Sequence, residues 1–195
     1  MTGNLVSTVE WRSGDRKGHE ICRLSRLDAG WELAGHFRGE EWGEQLSLEY
    51  TVQMDEEWRT RLVRLRTTSS VMKPRTCTLA ATPEGVWKQK SGNAAPDLWD
   101  VEGISMLEFD FSPAMRTQLI GQLQLQIDQT MDVYVIHVLV PELALSREYQ
   151  VITRTGENSY RCGYGLMGLE EEFTFTVNEH GLVITDEMGA IHVLE

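Results

Sequence analysis

The chain has 195 residues, which bounds it to one domain or to one domain of two similar halves. Its net charge of −12 argues against a nucleic-acid backbone or an anionic membrane surface as the main partner, because both reward excess positive charge. Apolar residues make up 41% of the chain, enough for a core and too many for a disordered tail, and no run approaches the ~20 apolar residues of a spanning helix.

From the amino terminus, Met1–Val6 carries no basic region followed by an apolar stretch, so no secretory signal is expected and the cytoplasm is the expected compartment. Period-two alternation then dominates the chain. Glu20–Leu27 and Trp31–Arg38 read as strands parted by the turn Asp28-Ala29-Gly30. Leu46, Leu48, Tyr50 and Val52 alternate with Ser47, Glu49 and Thr51, a strand with one wet face. Arg59–Thr67, Thr76–Ala81 and Val86–Lys88 follow, with Thr82-Pro83-Glu84-Gly85 as a turn. Ser91–Asp100 is polar and broken by Gly92 and Pro96, and reads as a mobile surface loop. Pro113–Ile120 fits one or two helical turns, with Pro113 at a first-turn position. Leu123, Leu125 and Ile127 alternate with glutamines, which predicts another strand.

Val133–Val140 is apolar at nearly every position, so it is expected to be covered on both faces, with His137 as a neutral core histidine. Gln150–Arg154, Tyr160–Leu166, Phe173–Val177 and Leu182–Thr185 complete the strands, with turns at Thr155–Asn158 and Asn178–Gly181. This spacing predicts an all-β, mainly antiparallel fold: a spiral β-roll or partly open barrel built from two similar halves, with little helix. Leu46–Val52 matches Leu145–Val151, and Thr76–Ala81 resembles Glu172–Val177. Residues 1–195 are therefore read as a single domain with an approximate internal repeat over 20–90 and 120–190.

Cys22, Cys77 and Cys162 are too few and too far apart for a disulfide framework or a zinc knuckle, and read as buried thiols. Gly163–Gly168 fits GxGxxG, but it leads into a strand rather than a helix, so it reads as a glycine-rich turn. Arg59 and Arg61 share one strand face and Arg64 and Arg66 the other; such pairs either hold an anionic head group or pair across strands with the many carboxylates. Trp11, Trp31, Trp42, Trp58, Trp87 and Trp99 either line an apolar or sugar-stacking pocket or serve as core and hairpin-edge packing. HExxH, GxSxG, P-loop and CxxC motifs are all missing, and His19, His36, His137, His180 and His192 lie far apart, so neither metal nor cofactor is expected.

Several segments together resemble one family. They are Glu49-Tyr50-Thr51-Val52 with Asp55, Trp58-Arg59-Thr60-Arg61-Leu62-Val63, Gly85-Val86-Trp87, and Phe111 through Ile120. Val140-Pro141-Glu142-Leu143, the Gln150 region, Tyr160 with Tyr164, and Asn178–Val183 complete the set. In this order and spacing the chain resembles the bacterial putative glycolipid-binding family over about residues 8–185. The resemblance implies a duplicated spiral β-roll comparable to periplasmic lipoprotein carriers, and binding of a glycolipid or similar amphiphile; it brings no catalytic residues. The chain departs from the family pattern at Arg116, Leu119 and Gly121-Gln122.

The expected function is non-enzymatic binding of an amphipathic small molecule or lipid in an apolar cavity between the halves. The expected contacts are Trp58, Arg59, Arg61, Trp87, Arg116, Tyr134, His137 and Tyr149. Two rival readings stand beside it: an interaction or scaffold domain with a filled core, and a small-molecule enzyme with His137 or a buried carboxylate as base.

Overall fold

The computed structural model describes residues 3–12, 18–41, 43–109, 112–164 and 171–187. Trp42, Phe111, His192 and the Gly165–Gly168 part of the glycine motif lie outside them. The first sheet is an antiparallel meander of β1 (Asn4–Arg12), β2 (His19–Leu27), β3 (Gly30–Glu41), β4 (Glu44–Met54), β5 (Thr60–Ser69), β6 (Arg75–Ala81) and β7 (Trp87–Gly92), in chain order. The second comprises β8 (Leu107–Glu108), β9 (Thr130–Leu139), β10 (Ala144–Arg154), β11 (Ser159–Tyr164), β12 (Glu171–Val177) and β13 (Val183–Asp186), in the order β13-β12-β11-β10-β9-β8. Only β8 and β9 run parallel among these pairs. The helix α1 (Met115–Leu123) connects β8 to β9. The described residues are thus mostly antiparallel β with one short α-helix, the class that the alternation predicts.

Alternation becomes packing along β4. Leu46, Leu48, Tyr50, Val52 and Met54 are buried, while Ser47, Glu49, Thr51 and Gln53 face outward. The β2–β3 turn needs Gly30, whose φ is +128° and whose Cβ, if it had one, would sit 2.0 Å from the Met54 carbonyl oxygen. The inward faces of both sheets and α1 form one continuous apolar core. Trp11 donates its indole N–H to the Val183 carbonyl at 2.8 Å, tying β1 to β13. Thr67 donates to the Pro141 carbonyl at 2.9 Å, tying β5 to the β9–β10 turn. Among the described residues no helix is long and apolar enough to cross a membrane.

Three expectations are corrected and one unexpected strand is added. Leu123–Ile127 is not a strand: α1 runs through Leu123, Gln124 adopts φ +46°, and its N–H caps the helix on the Ile120 carbonyl. Leu119 and Leu123, four apart, mark one helical face, and the apparent alternation beyond them is broken by the turn. Val133–Val140 is covered on both faces only in part: Val133, Val135, Ile136, Val138 and Val140 are buried, whereas Tyr134 and Leu139 are exposed and His137 is half-buried. Ser91 and Gly92 extend β7, and the following loop is pinned, because the Asn93 and Ala94 N–H groups donate to the Thr76 carbonyl. It ends in a single 3-10 turn, Trp99–Val101, with Val101 fully buried. Finally, β1 is a strand that the pattern does not announce, because an irregularity between Leu5 and Ser7 shifts its phase.

Candidate functional site

The amino-terminal half of α1 lies inside the molecule, with Met115 through Leu119 buried. Gln118 fastens it there. Its amide donates to the Trp58 carbonyl (3.1 Å), Thr60 Oγ1 (2.5 Å) and the Ser105 carbonyl (2.7 Å), and its oxygen accepts from the Leu107 N–H (3.2 Å). Trp58, at φ +63°, stacks on Trp31 with centroids 4.6 Å apart and rings 18° from parallel. Its other side lies so close to Gly121 that a Cβ there would meet the indole at 2.4 Å.

Arg61 binds Asp55 through two nitrogens (2.9 and 2.5 Å) and donates to the Thr82 carbonyl at 2.7 Å. Trp87 is buried and donates to the Ile104 carbonyl at 2.8 Å. Trp87 and, through Gln118, Trp58 are therefore tied to one segment, 103–105, which also bonds Thr60 and Gly85, while Arg61 is tied to Asp55 and Thr82. Arg59 stands apart from Arg61, contrary to the expected shared face. It precedes β5, is exposed, and donates its backbone N–H to Asp55 (2.9 Å), while an irregularity opposite Gln53 and Met54 displaces the start of β5. Arg66 pairs across strands with Glu49 at 3.7 Å.

Arg116 is buried in an ion pair with Asp186, its guanidinium 4.4 Å from the Phe173 ring centroid. Burial opposes its charge, and the surrounding Tyr164, Glu108 and Asp186 outweigh that, holding it above the ordinary guanidinium value. A second interior network centres on Glu20, which is 2% exposed. Its Oε1 accepts from Tyr50 Oη (2.5 Å) and Ser112 Oγ (2.7 Å), and its Oε2 has no hydrogen-bond partner among the described residues. Burial pushes this carboxyl up to about 7, against the pull of its two hydrogen bonds and of Arg116. Tyr50 reaches Glu20 by laying its ring over Gly35, where a Cβ would meet the ring at 2.2 Å. Burial likewise raises the Cys22, Cys77 and Cys162 thiols, all three buried and free. Sequence reasoning passes over Glu20; its phase with Cys22 and Leu24 on the buried face of β2 is the signal that marks it.

The remaining expected residues divide between two faces. Tyr134 and Tyr149 face each other across β9 and β10, with ring centroids 5.6 Å apart at 62°, an edge-to-face pair on the outer surface. Arg147 lies over Tyr134 at 5.1 Å and pairs with Asp100 at 3.6 Å. The neighbouring Trp99 is 75% exposed and Tyr134 is 50% exposed. Partial desolvation and then Asp132, which accepts from its hydroxyl, raise the Tyr149 phenol. His137 lies opposite Ser146 on the other face of β9 and is not brought to this pair. Among the described residues no group of three or more His, Cys, Asp or Glu could hold a metal ion.

This arrangement offers half-exposed aromatic rings, one of them under a cation, with two carboxylates beside them. Sugars meet such surfaces through their C–H faces and their hydroxyls.

A family model described as "Putative glycolipid-binding" matches residues 8–189. No curated protein matches the chain. Among solved structures, a DUF1089 family protein from Pseudomonas aeruginosa is similar at TM-score 0.73 and 26% identity, over 89% of this chain and 90% of that one. A beta-barrel-like protein of domain of unknown function DUF1849 from Brucella abortus aligns at TM-score 0.57 and 11% identity, over 100% of this chain and 98% of that one. The second likeness concerns the fold alone.

Proposed function

The chain belongs to the putative glycolipid-binding family, and from that premise we propose that it binds a glycolipid-like amphipathic small molecule without transforming it. The observation that carries this reading is the open Tyr134–Tyr149 pair capped by Arg147, with Trp99 exposed on the adjoining turn. Large aromatic faces left in water carry an energetic penalty that a ligand relieves. In this reading Tyr134 and Tyr149 stack on the sugar, and Arg147, Asp100 and Asp132 exchange hydrogen bonds with its hydroxyls or with an anionic substituent.

The expected apolar cavity lies between the β halves, whereas the Tyr134–Tyr149 pair lies on the outer surface and the side chains between the sheets form one continuous apolar core, so this reading places the ligand on the outer face. Trp58, Arg61, Trp87 and Arg116 then act by holding α1 and its surroundings in place, and Arg59 and His137 take no part in the sugar contact. The reading also takes residues 1–195 as one cytoplasmic domain whose segments 20–90 and 120–190 are copies of one unit. The duplication is supported by Thr76–Ala81 on β6 and Glu172–Val177 on β12, where buried Cys77 and Leu79 match buried Phe173 and Phe175, although Leu48 and Tyr50 are buried on β4 while their counterparts Arg147 and Tyr149 face outward on β10; the three free thiols support the compartment.

The test is calorimetric titration of the full chain with short-chain alkyl glycosides kept below micelle formation. The Tyr134→Ala/Tyr149→Ala double variant is expected to bind about tenfold or more weakly, with its thermal unfolding little changed, because both side chains are on the surface. Equal affinity in the double variant refutes the assignment.

A further inference from the structure

The outer face of the first sheet carries a cross-strand row that the glycolipid reading does not use. Arg23 on β2 stands opposite Ala34 on β3, Ala34 opposite Thr51 on β4, and Thr51 opposite Arg64 on β5. All four side chains point away from the core, since Cys22, Leu33, Tyr50, Val52, Val63 and Leu65 occupy the inward positions beside them. Two hollows adjoin along this row. One, of about 420 Å³, is lined by Ile21, Arg23, Ala34, His36, Glu49 and Thr51, with Gly35 and Tyr50 behind them. The other, of about 170 Å³, is lined by Thr51, Arg64, Arg66 and Glu49, with Tyr50 and Leu65 behind.

Acidic residues outnumber basic ones in this chain, 30 to 18. Yet Arg23 and Arg64 are exposed and have no carboxylate partner among the described residues. Of the nearby acids, Glu49 lines both hollows with its charge paired to Arg66 at 3.7 Å, and Glu32 accepts from Gln53 at 2.8 Å. His36 is likewise occupied, with Ser47 at 2.8 Å and Arg38 at 3.1 Å.

We infer that this groove is a binding site for a phosphate-type oxyanion held between Arg23 and Arg64 above Thr51. Three strand spacings separate the two arginines, about 14 Å between backbones. Only the small residues Ala34 and Thr51 lie between them, so both guanidinium groups can lean in over the hollow and meet an anion from opposite sides. A guanidinium fork matches phosphate geometry, and Thr51, which lines both hollows, brings a hydroxyl donor to the floor of the groove. Ile21, 37% exposed at the rim, gives an attached apolar group a contact. The same chemistry serves a soluble phosphomonoester and a phospholipid head group.

The experiment is a titration of the isotope-labelled full chain, followed by amide resonances, with inorganic phosphate and with glycerol 3-phosphate against chloride at matched ionic strength. Saturable shifts centred on Ala34, Thr51 and Arg64, weakened about tenfold or more in Arg23→Gln/Arg64→Gln, uphold the site. Both substitutions are on the surface, so the variant's unchanged spectrum elsewhere certifies its fold. A parallel arm measures co-sedimentation with vesicles of phosphatidylcholine alone or with phosphatidic acid. Binding confined to the phosphatidic acid vesicles and lost in the double variant upholds the site with a lipid source; binding of the soluble esters upholds it with a soluble one. Shifts equal to those in chloride together with no vesicle binding, or any binding that survives in the double variant, overturn it.

Discussion

Replacing Glu20 by glutamine should change the pH dependence of stability more than the stability itself. In the folded protein burial pushes this carboxyl up to about 7, against an ordinary value of 4.5, and the Tyr50 and Ser112 hydroxyls and the Arg116 charge offset that only in part. The folded state therefore holds the proton more tightly than the unfolded chain. Its contribution to stability is fully present below about pH 4.5, falls as the pH rises toward 7, and is gone above that. A shift of this size corresponds to about 3 kcal/mol. The glutamine side chain would keep a carbonyl oxygen for both hydroxyls and would never ionise. The surface carboxylates Glu10 and Glu84, which are lowered by their hydrogen bonds, push stability the other way with pH, but they do so equally in both proteins and cancel in the difference. Urea unfolding followed by tryptophan fluorescence, at about pH 4.5 and about pH 8.5, measures that difference. Glu20→Gln should gain about 3 kcal/mol on the wild type between the two pH values. Parallel profiles would refute the claim that Glu20 is the interior proton acceptor of this fold.

Two glycine substitutions test how aromatic rings occupy the backbone. Gly121→Ala should lose about 1–3 kcal/mol in thermal unfolding, although alanine is the better helix former, because the added methyl would meet the Trp58 indole at 2.4 Å and push it off Trp31. A stabilised variant would show that the Trp31–Trp58 stack does not hold α1. Gly35→Ala should lose about 3 kcal/mol, because the Tyr50 ring must leave its place and release Glu20; calorimetry reads the loss, and an unchanged midpoint would contradict the packing.

Most of the sheet architecture is legible in the sequence because one face of each strand is wet. Leu46 through Met54 and Phe173 through Val177 alternate cleanly, and Gly43 before the first and Asn178 with Gly181 after the second mark where the chain reverses. Reading fails where the phase breaks. The irregularity after Leu5 hides β1, and the glutamines after Leu123 imitate a strand where a helix ends. The candidate site is legible only in part. Tyr134 and Tyr149 can be picked as residues, but their contact depends on the β9–β10 register. Arg61 looks free for an anion because nothing local announces that a turn brings Asp55 back to it. The Glu20 network joins β2 to Ser112, 92 positions away, a pairing that no local pattern encodes. Trp58 carries a positive φ that a bulky residue rarely adopts, so its wedge against Gly121 is a tertiary outcome.

The most direct test of the binding reading is native mass spectrometry of the purified full chain, with solvent extraction of what it carries. A glycolipid or similar amphiphile bound near one-to-one, and displaced from the Tyr134→Ala/Tyr149→Ala variant, is the predicted result. An unliganded mass, together with no thermal shift from a panel of glycolipids, would contradict it.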